Sequence, residues 1–440
     1  MSVEDLVEFA DAAISRKMGT SLNNLTKYLL KECCQNGTKT YDQIALESCY
    51  SASYLKKKVI PELWQLLSET FGEKVTKMNC RSVLEKYQST WKDRNRTTVK
   101  LESPEEQVPL ASPFYIDPFR SQRRCYEEIL DPGALVRIKG PRKIGKTSLL
   151  ARLLAHAEAN GCRTIRLNLD MADSGTLASG EKFLRWFCAN SALQLGLEPQ
   201  LAEYWDGEIG ALVDCKLYFQ SYLLAQIEQP MILAVDEANR LFEYPALARD
   251  FFSLLRSWYQ AAKDRPCWQK LRMIIVHSTD AYIPFDANRS PFNVGSVFEL
   301  QPFTPAQVKE LAQRHGLQLS SQELERIQTV LGGFPYLVRR LFYQAAISSI
   351  RVKILMENAA TDAGIFSNCL HEQLQYLEAK PDLLRAYQQV AKAETPIMLE
   401  QRQAFQLKSL GLVNLNRNQV IASCDLYRQY FCERLEYHGV

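Results

Sequence analysis

The chain has 440 residues, and its 53 basic and 50 acidic side chains leave a formal charge of only +3, so it is no polycation and any nucleic-acid surface must be local. Twelve cysteines lie scattered, with no C-x-x-C pair and no clustered Cys/His spacing, which argues against a zinc site and a disulfide scaffold. No apolar stretch approaches the ~18 residues of a membrane span, and the chain reads as a cytoplasmic protein of two or three domains.

Residues 1–90 carry helical periodicity. Leu6, Ala10, Ala13 and Ile14 predict a helix over 2–17, and Leu25, Tyr28 and Leu29 one over 22–34. A short helix over 40–46, a turn near 48–51 and a longer helix over 52–67 together read as a helix-turn-helix. Lys56, Lys57 and Lys58 fall inside the longer helix, and 52–96 holds ten basic against five acidic residues, a local +5 that suits phosphate contacts. A solvated face fits the same residues, as does an adaptor that binds a protein partner; both a protein partner and DNA stay open for this module. Over 91–112 charge and proline replace periodicity, which predicts a linker.

From 113 the pattern alternates strand and helix, with strand candidates at 134–139, 164–169, 231–236, 271–278 and 297–300. Apolar runs covered by helices on both sides imply an α/β fold with a parallel sheet. After the first strand comes Gly140-Pro141-Arg142-Lys143-Ile144-Gly145-Lys146-Thr147, then a helix from Ser148. This is G-x-x-x-x-G-K-T in a strand–loop–helix context, where converging backbone N–H groups and a helix N-terminus cradle phosphates. Lys146 is expected to reach the β- and γ-phosphates, and Thr147 to offer its hydroxyl to Mg²⁺. The third strand ends in Asp236-Glu237. The first carboxylate is placed for the metal and the second for a catalytic water. Both motifs in this order predict an ATP/ADP and Mg²⁺ site.

Ser278 and Thr279, ending the fourth strand, are candidates for sensing the γ-phosphate. Beyond 304 the chain turns helical, and Arg339, in the helix after Gly332-Gly333-Phe334-Pro335, could reach the γ-phosphate from there. Helices over 381–392 and 401–410 followed by a polar-tipped hairpin predict a winged helix.

These motifs resemble the AAA-like ATPases of the STAND and origin-recognition branch over 113–435, and most strongly the bacterial AAA-like domain proteins common in cyanobacteria. Arg124-Cys125-Tyr126-Glu127, Val276-His277-Ser278-Thr279, Ser290-Pro291-Phe292-Asn293-Val294-Gly295 and Gly332-Gly333-Phe334-Pro335-Tyr336-Leu337 carry the likeness. The resemblance implies that Tyr115 and Ile116 pack near the adenine, and that Pro335 begins a lid helix facing the nucleotide. Tyr41-Asp42-Gln43-Ile44-Ala45 with Leu63-Trp64-Gln65-Leu66-Leu67-Ser68 resembles the helix-turn-helix of proteins associated with von Willebrand A and MoxR-type conflict systems. The family's arginine after the fourth strand is missing, since Asp280 follows Thr279, and no arginine finger is identifiable. The expected organisation is a helical module (1–90), linker (91–112), ATPase core (113–303), lid (304–365) and winged helix (366–440). The expected function is an ATP-dependent switch in a signalling or conflict-defence complex. The alternative is an ATP-dependent DNA-binding regulator or loader. Hydrolysis and a nucleotide-dependent oligomer stay open.

Overall fold

The computed structural model describes residues 3–18, 22–35, 39–48, 50–94, 101–118, 124–205, 208–278 and 293–437. The chain forms two compact units, Met1–Leu101 with Ser348–Ile350, and Glu102–Ile347 with Arg351–Val440. Among the described residues no helix is long and apolar enough to cross a membrane.

The first unit is helical, with Val3–Met18, Asn24–Cys34, Tyr41–Ser48, a longer helix from Ala52 to Phe71, and Cys80–Arg94. Leu6, Ala10, Ile14, Leu30, Leu55, Leu63, Leu67 and Leu84 close a common core. Ser51 caps the longer helix, its Oγ accepting from the Tyr54 N–H at 3.2 Å. Instead of the uniform helix expected over 52–67, a π turn spans Leu55–Val59. Pro61 gives the physical reason: lacking an N–H, it cannot bond back to the carbonyl of Lys57, and the ladder slips so that the Ile60 N–H reaches Leu55 O. The three lysines sit on this turn, all exposed, with Lys56 donating to both Asp42 oxygens at 2.7 and 2.8 Å. The last helix runs on to Arg94, past the point where the sequence predicts a linker, anchored by Val83, Leu84 and Tyr87.

The second unit is built on a parallel five-stranded sheet: β1 (Leu135–Lys139), β2 (Arg163–Asn168), β3 (Met231–Asp236), β4 (Leu271–His277) and β5 (Ser296–Glu299). The strand order is β2-β3-β4-β1-β5. Every residue of β3 and β4 is buried, as befits central strands covered on both faces. Aromatic rings fill the layer over one face: Phe187 and Phe183 each meet Phe251 edge-on at 5.0 Å, and Phe219 lies 4.5 Å from Trp258. The register sets Lys139 beside His277 and Asn168 beside Asp236, so the carboxyl ends of four strands open on one edge, where α/β sheets bind ligands.

Two helices follow the sheet, Pro305–Arg314 and Ser321–Leu331, each started by a capping box, Thr304 with Gln307 and Ser320 with Glu323. A Gly332-Gly333 turn then leads into Pro335–Ser348. Gly333 has φ +70°, and a Cβ there would stand 2.3 Å from Phe303 O, so no side chain fits this turn. The C-terminal part holds Ser367–Glu378, Pro381–Lys392, Gln401–Leu410, an antiparallel hairpin of β6 (Val413–Asn416) and β7 (Gln419–Ala422), and Asp425–Tyr437. Ile397 bridges to Val420 on the outer side of β7.

Candidate nucleotide site

Lys146 is the first residue of the helix Lys146–Ala159 that follows the loop. Its side chain is 5 % exposed and its Nζ donates to Pro141 O at 2.9 Å, so the loop curls around its own lysine. Burial pushes this ammonium down to about 8, against the pull of the Glu237 and Asp236 carboxylates and with a small push from Arg142. The lysine and the carboxylates of Asp236 and Glu237, at and just after the end of β3, therefore share one electrostatic site. Lys143 takes a left-handed φ of 61°, which turns the loop before Ile144, itself buried. Thr147 is half-buried, and the buried Ser148 accepts the Val108 N–H on its Oγ at 3.0 Å. Gly140 and Gly145 bracket the turn.

Asp236, 1 % exposed, ends β3. Its Oδ1 accepts the Glu237 N–H at 3.0 Å, and its Oδ2 accepts from Arg166 Nη2 at 3.0 Å. Glu237 has a left-handed φ of 52°, sparsely populated for a non-glycine residue and characteristic of sites where geometry is imposed. Asn239 holds it: Nδ2 donates to Glu237 Oε2 at 3.2 Å, while Oδ1 accepts the Ser278 N–H at 3.1 Å. The ends of β3 and β4 are thus linked through one amide, and Ser278 joins the carboxylates. Thr279 and residues 290–292 lie outside the described residues. The hydroxyl of Thr147 and the carboxylate of Asp236 are hard oxygen donors, the kind that suits a divalent cation such as Mg²⁺.

Residues 102–118 form a strap over this region. Tyr115 packs under the Arg152 guanidinium, 3.4 Å from its ring centre, and its carbonyl accepts from Arg314 at 2.6 Å. Ile116 is buried, and Phe114 stacks 4.2 Å from His315. The strap's N-terminal half grips the lid helix. Glu102 accepts from the buried Arg339 at 3.2 Å, Glu105 from Tyr336 Oη at 2.9 Å and from Arg340. Arg339, read from the sequence as a phosphate sensor, is engaged by a carboxylate of the strap. Pro335 is the first residue of the helix Pro335–Ser348, and its neighbour Tyr336 lies beneath the Lys143 ammonium at 4.7 Å.

The loop also meets the C-terminal helices. The Arg142 N–H donates to Ser409 O at 2.9 Å, its guanidinium stands 5.3 Å from the Tyr376 ring centre, and Lys143 Nζ pairs with Glu372 at 2.6 Å. Gly411, at φ +79°, fits where a Cβ would meet Phe334 at 3.1 Å and Pro141 at 3.5 Å. Lys408 adds an ion pair to Glu299 at 3.0 Å. Sequence reasoning missed Arg166, Asn239, Gln107, Glu372 and Ser409. The alternation of β2 does place Arg166 on the same face as Thr164 and Asn168, but nothing local says what it meets.

Residues 103–433 match the AAA-like domain family, and residues 1–87 match the family described as vWA-MoxR associated protein N-terminal HTH. No curated protein matches the sequence. Among solved structures, the Walker-type ATPase PABY2304 of Pyrococcus abyssi is similar at 15 % identity and a TM-score of 0.51, covering 72 % of this chain and 99 % of that one. The Aeropyrum pernix ORC2 protein, solved as ADPNP–ADP complexes, is 18 % identical with a TM-score of 0.43, over 73 % and 95 % of the two chains. The Aeropyrum pernix ORC1 protein in complex with DNA is 14 % identical with a TM-score of 0.39, over 77 % and 99 %.

Proposed function

This chain belongs to the AAA-like domain family, and from that premise we propose that it is an ATP-dependent switch whose C-terminal helices dock on, and leave, the phosphate loop. The observation that carries the reading is the clamp on that loop: Arg142 to Ser409, Lys143 to Glu372, and Gly411 against Pro141. A nucleotide drawing on the charge of Lys143 changes what Glu372 can hold, so the phosphate state biases the docked arrangement. In this reading 140–148 bind the phosphates, with Lys146 reaching the β- and γ-phosphates. Thr147 and Asp236 hold the metal, which when bound neutralises phosphate charge. Glu237, oriented by Asn239, takes the proton of an attacking water. The C-terminal helices and hairpin act as a winged helix, and the protein is a regulator or adaptor of a signalling or conflict-defence complex in the cytoplasm. The family match of the N-terminal module supports the conflict-system context.

Hydrogen exchange over 367–435, compared between ADP and a non-hydrolysable ATP analogue, tests the switch. We expect a difference in the parent protein. Glu372→Lys should release the helices in both states, because Lys143 then faces a like charge in place of its partner. Identical exchange in both nucleotides would leave the ligand structural and end the switch reading.

A second reading, a DNA-binding regulator or loader, draws on one observation: Lys57 and Lys58 are exposed on the first unit, on the longer helix of its helix-turn-helix.

A further inference from the structure

Asp236 is the metal carboxylate of the proposed site, yet both its oxygens already have partners within the fold. Oδ1 accepts from the Glu237 backbone, and Oδ2 accepts from Arg166 Nη2 at 3.0 Å. Arg166 lies on β2, two residues before Asn168, the residue paired with Asp236 across the sheet. Its guanidinium is about a third exposed, while the carboxylate it meets is 1 % exposed. A carboxylate buried that deeply needs a cation, and in this arrangement the cation is a side chain. The other arm of the same guanidinium, Nη1, donates to Gln107 Oε1 at 3.1 Å, inside the strap. A residue further on, the strap is tied to the phosphate-loop helix through Val108 N–H to Ser148 Oγ at 3.0 Å, and Arg152 donates to Val108 O at 3.1 Å and Pro109 O at 2.7 Å. In the other direction Glu102 and Glu105 hold the lid helix.

We infer that Arg166 is a positioning residue that serves as the resident counter-ion of Asp236, that a divalent cation displaces it, and that Gln107 carries this exchange into the strap. The inference rests on the nucleotide-site reading above and adds to it the regulation of that site. A divalent cation brought to Oδ2 and the Arg166 guanidinium are like charges at one oxygen, so the two compete electrostatically for the carboxylate. When the metal wins, the guanidinium is repelled by the new charge and loses its fixed geometry. Its hydrogen bond to Gln107 loosens with it, and the strap between lid and phosphate-loop helix is held at one point fewer. The metal state thereby reaches the lid without any contact between metal and lid. A planar guanidinium makes this link feasible, since its separate N–H groups serve a carboxylate and an amide at once.

The test uses the full-length protein with ADP, with and without metal. Calorimetry in EDTA measures ADP affinity alone, and Mn²⁺ titration of the ADP complex, followed by electron paramagnetic resonance, measures the metal. Arg166→Gln should leave ADP affinity in EDTA unchanged and raise Mn²⁺ affinity by about tenfold, the worth of one charge-assisted hydrogen bond no longer competing. Arg166→Lys, which keeps a cation in reach of Asp236, should return Mn²⁺ affinity toward the parent value. Hydrogen exchange at 102–109 should quicken when Mg²⁺ is added to the parent ADP complex. That step should vanish in Arg166→Gln and in Gln107→Ala, the second of which leaves the ion pair intact. Unchanged or weaker Mn²⁺ affinity in Arg166→Gln, with ADP still bound, would overturn the counter-ion role alone. Failure of the parent to bind ADP would overturn the nucleotide-site reading and this inference with it.

Discussion

Lys146 shows how much of the site resides in one side chain. Its ammonium is buried and donates to the Pro141 carbonyl of its own loop, and burial holds it down to about 8. Bound phosphate restores the preference for the charged form, so nucleotide binding should take up protons in the window where the free protein has shed them, from about pH 8 to the ordinary lysine value near 10.5. In that window the unfolded chain holds the proton and the folded chain does not. The stability of the nucleotide-free protein therefore rises with pH while ADP affinity falls. Calorimetry of ADP binding at pH 8.5, in buffers of different ionisation enthalpy, should record net uptake that Lys146→Met abolishes. No uptake in the parent would mean that the lysine does not meet the phosphate.

At the scale of elements, the joint between strap and lid has its own titration. His315 closes the helix Pro305–Arg314, with its ring 4.2 Å from Phe114 and its Nδ1 2.9 Å from Leu311 O. Burial drives it down to about 4, the Leu311 carbonyl opposes the shift, and the Arg339 charge adds to it. Between pH 6.5 and about 4 the unfolded chain binds this proton and the folded chain does not. Acidification through that range should cost about 3 kcal/mol that neutral pH does not. His315→Leu should flatten this part of the pH dependence of unfolding by urea, relative to the parent, and parallel curves would refute it. The elements here were legible in the sequence wherever a local signal exists: the glycine–lysine loop, the apolar run ending in two carboxylates, and the Gly-Pro turn. What stayed hidden depends on sheet order and on pairings far apart in sequence. Arg166 meets Asp236 because β2 lies beside β3, and Glu102 meets Arg339 across 237 positions. The π turn at Leu55–Val59 was hidden differently, since the apolar periodicity of 52–67 runs on through Pro61 and only the slipped ladder reveals its effect.

For the whole molecule, the question is what the two units do for each other, and the first unit offers a decisive measurement. Lys56 is committed to Asp42, so Lys57 and Lys58 are the residues to remove. If the module binds duplex DNA, their joint replacement by alanine should reduce the slope of log affinity against log salt by about 0.9 for each DNA phosphate that a lysine no longer neutralises. A full-length protein showing no DNA shift at low salt would leave the adaptor reading standing. The resemblance to AAA-like proteins pointed to the fold of the second unit, which the family match over residues 103–433 bears out.

The clamp on the phosphate loop has a consequence for synthesis. Lys143 finds Glu372 229 positions downstream, and Arg142 bonds to Ser409, later still. A ribosome at ~5–20 residues per second has released the loop many seconds before these partners emerge. The loop therefore leaves the ribosome before its C-terminal buttress exists. Docking of the C-terminal helices on the loop is thus the last of these contacts to form.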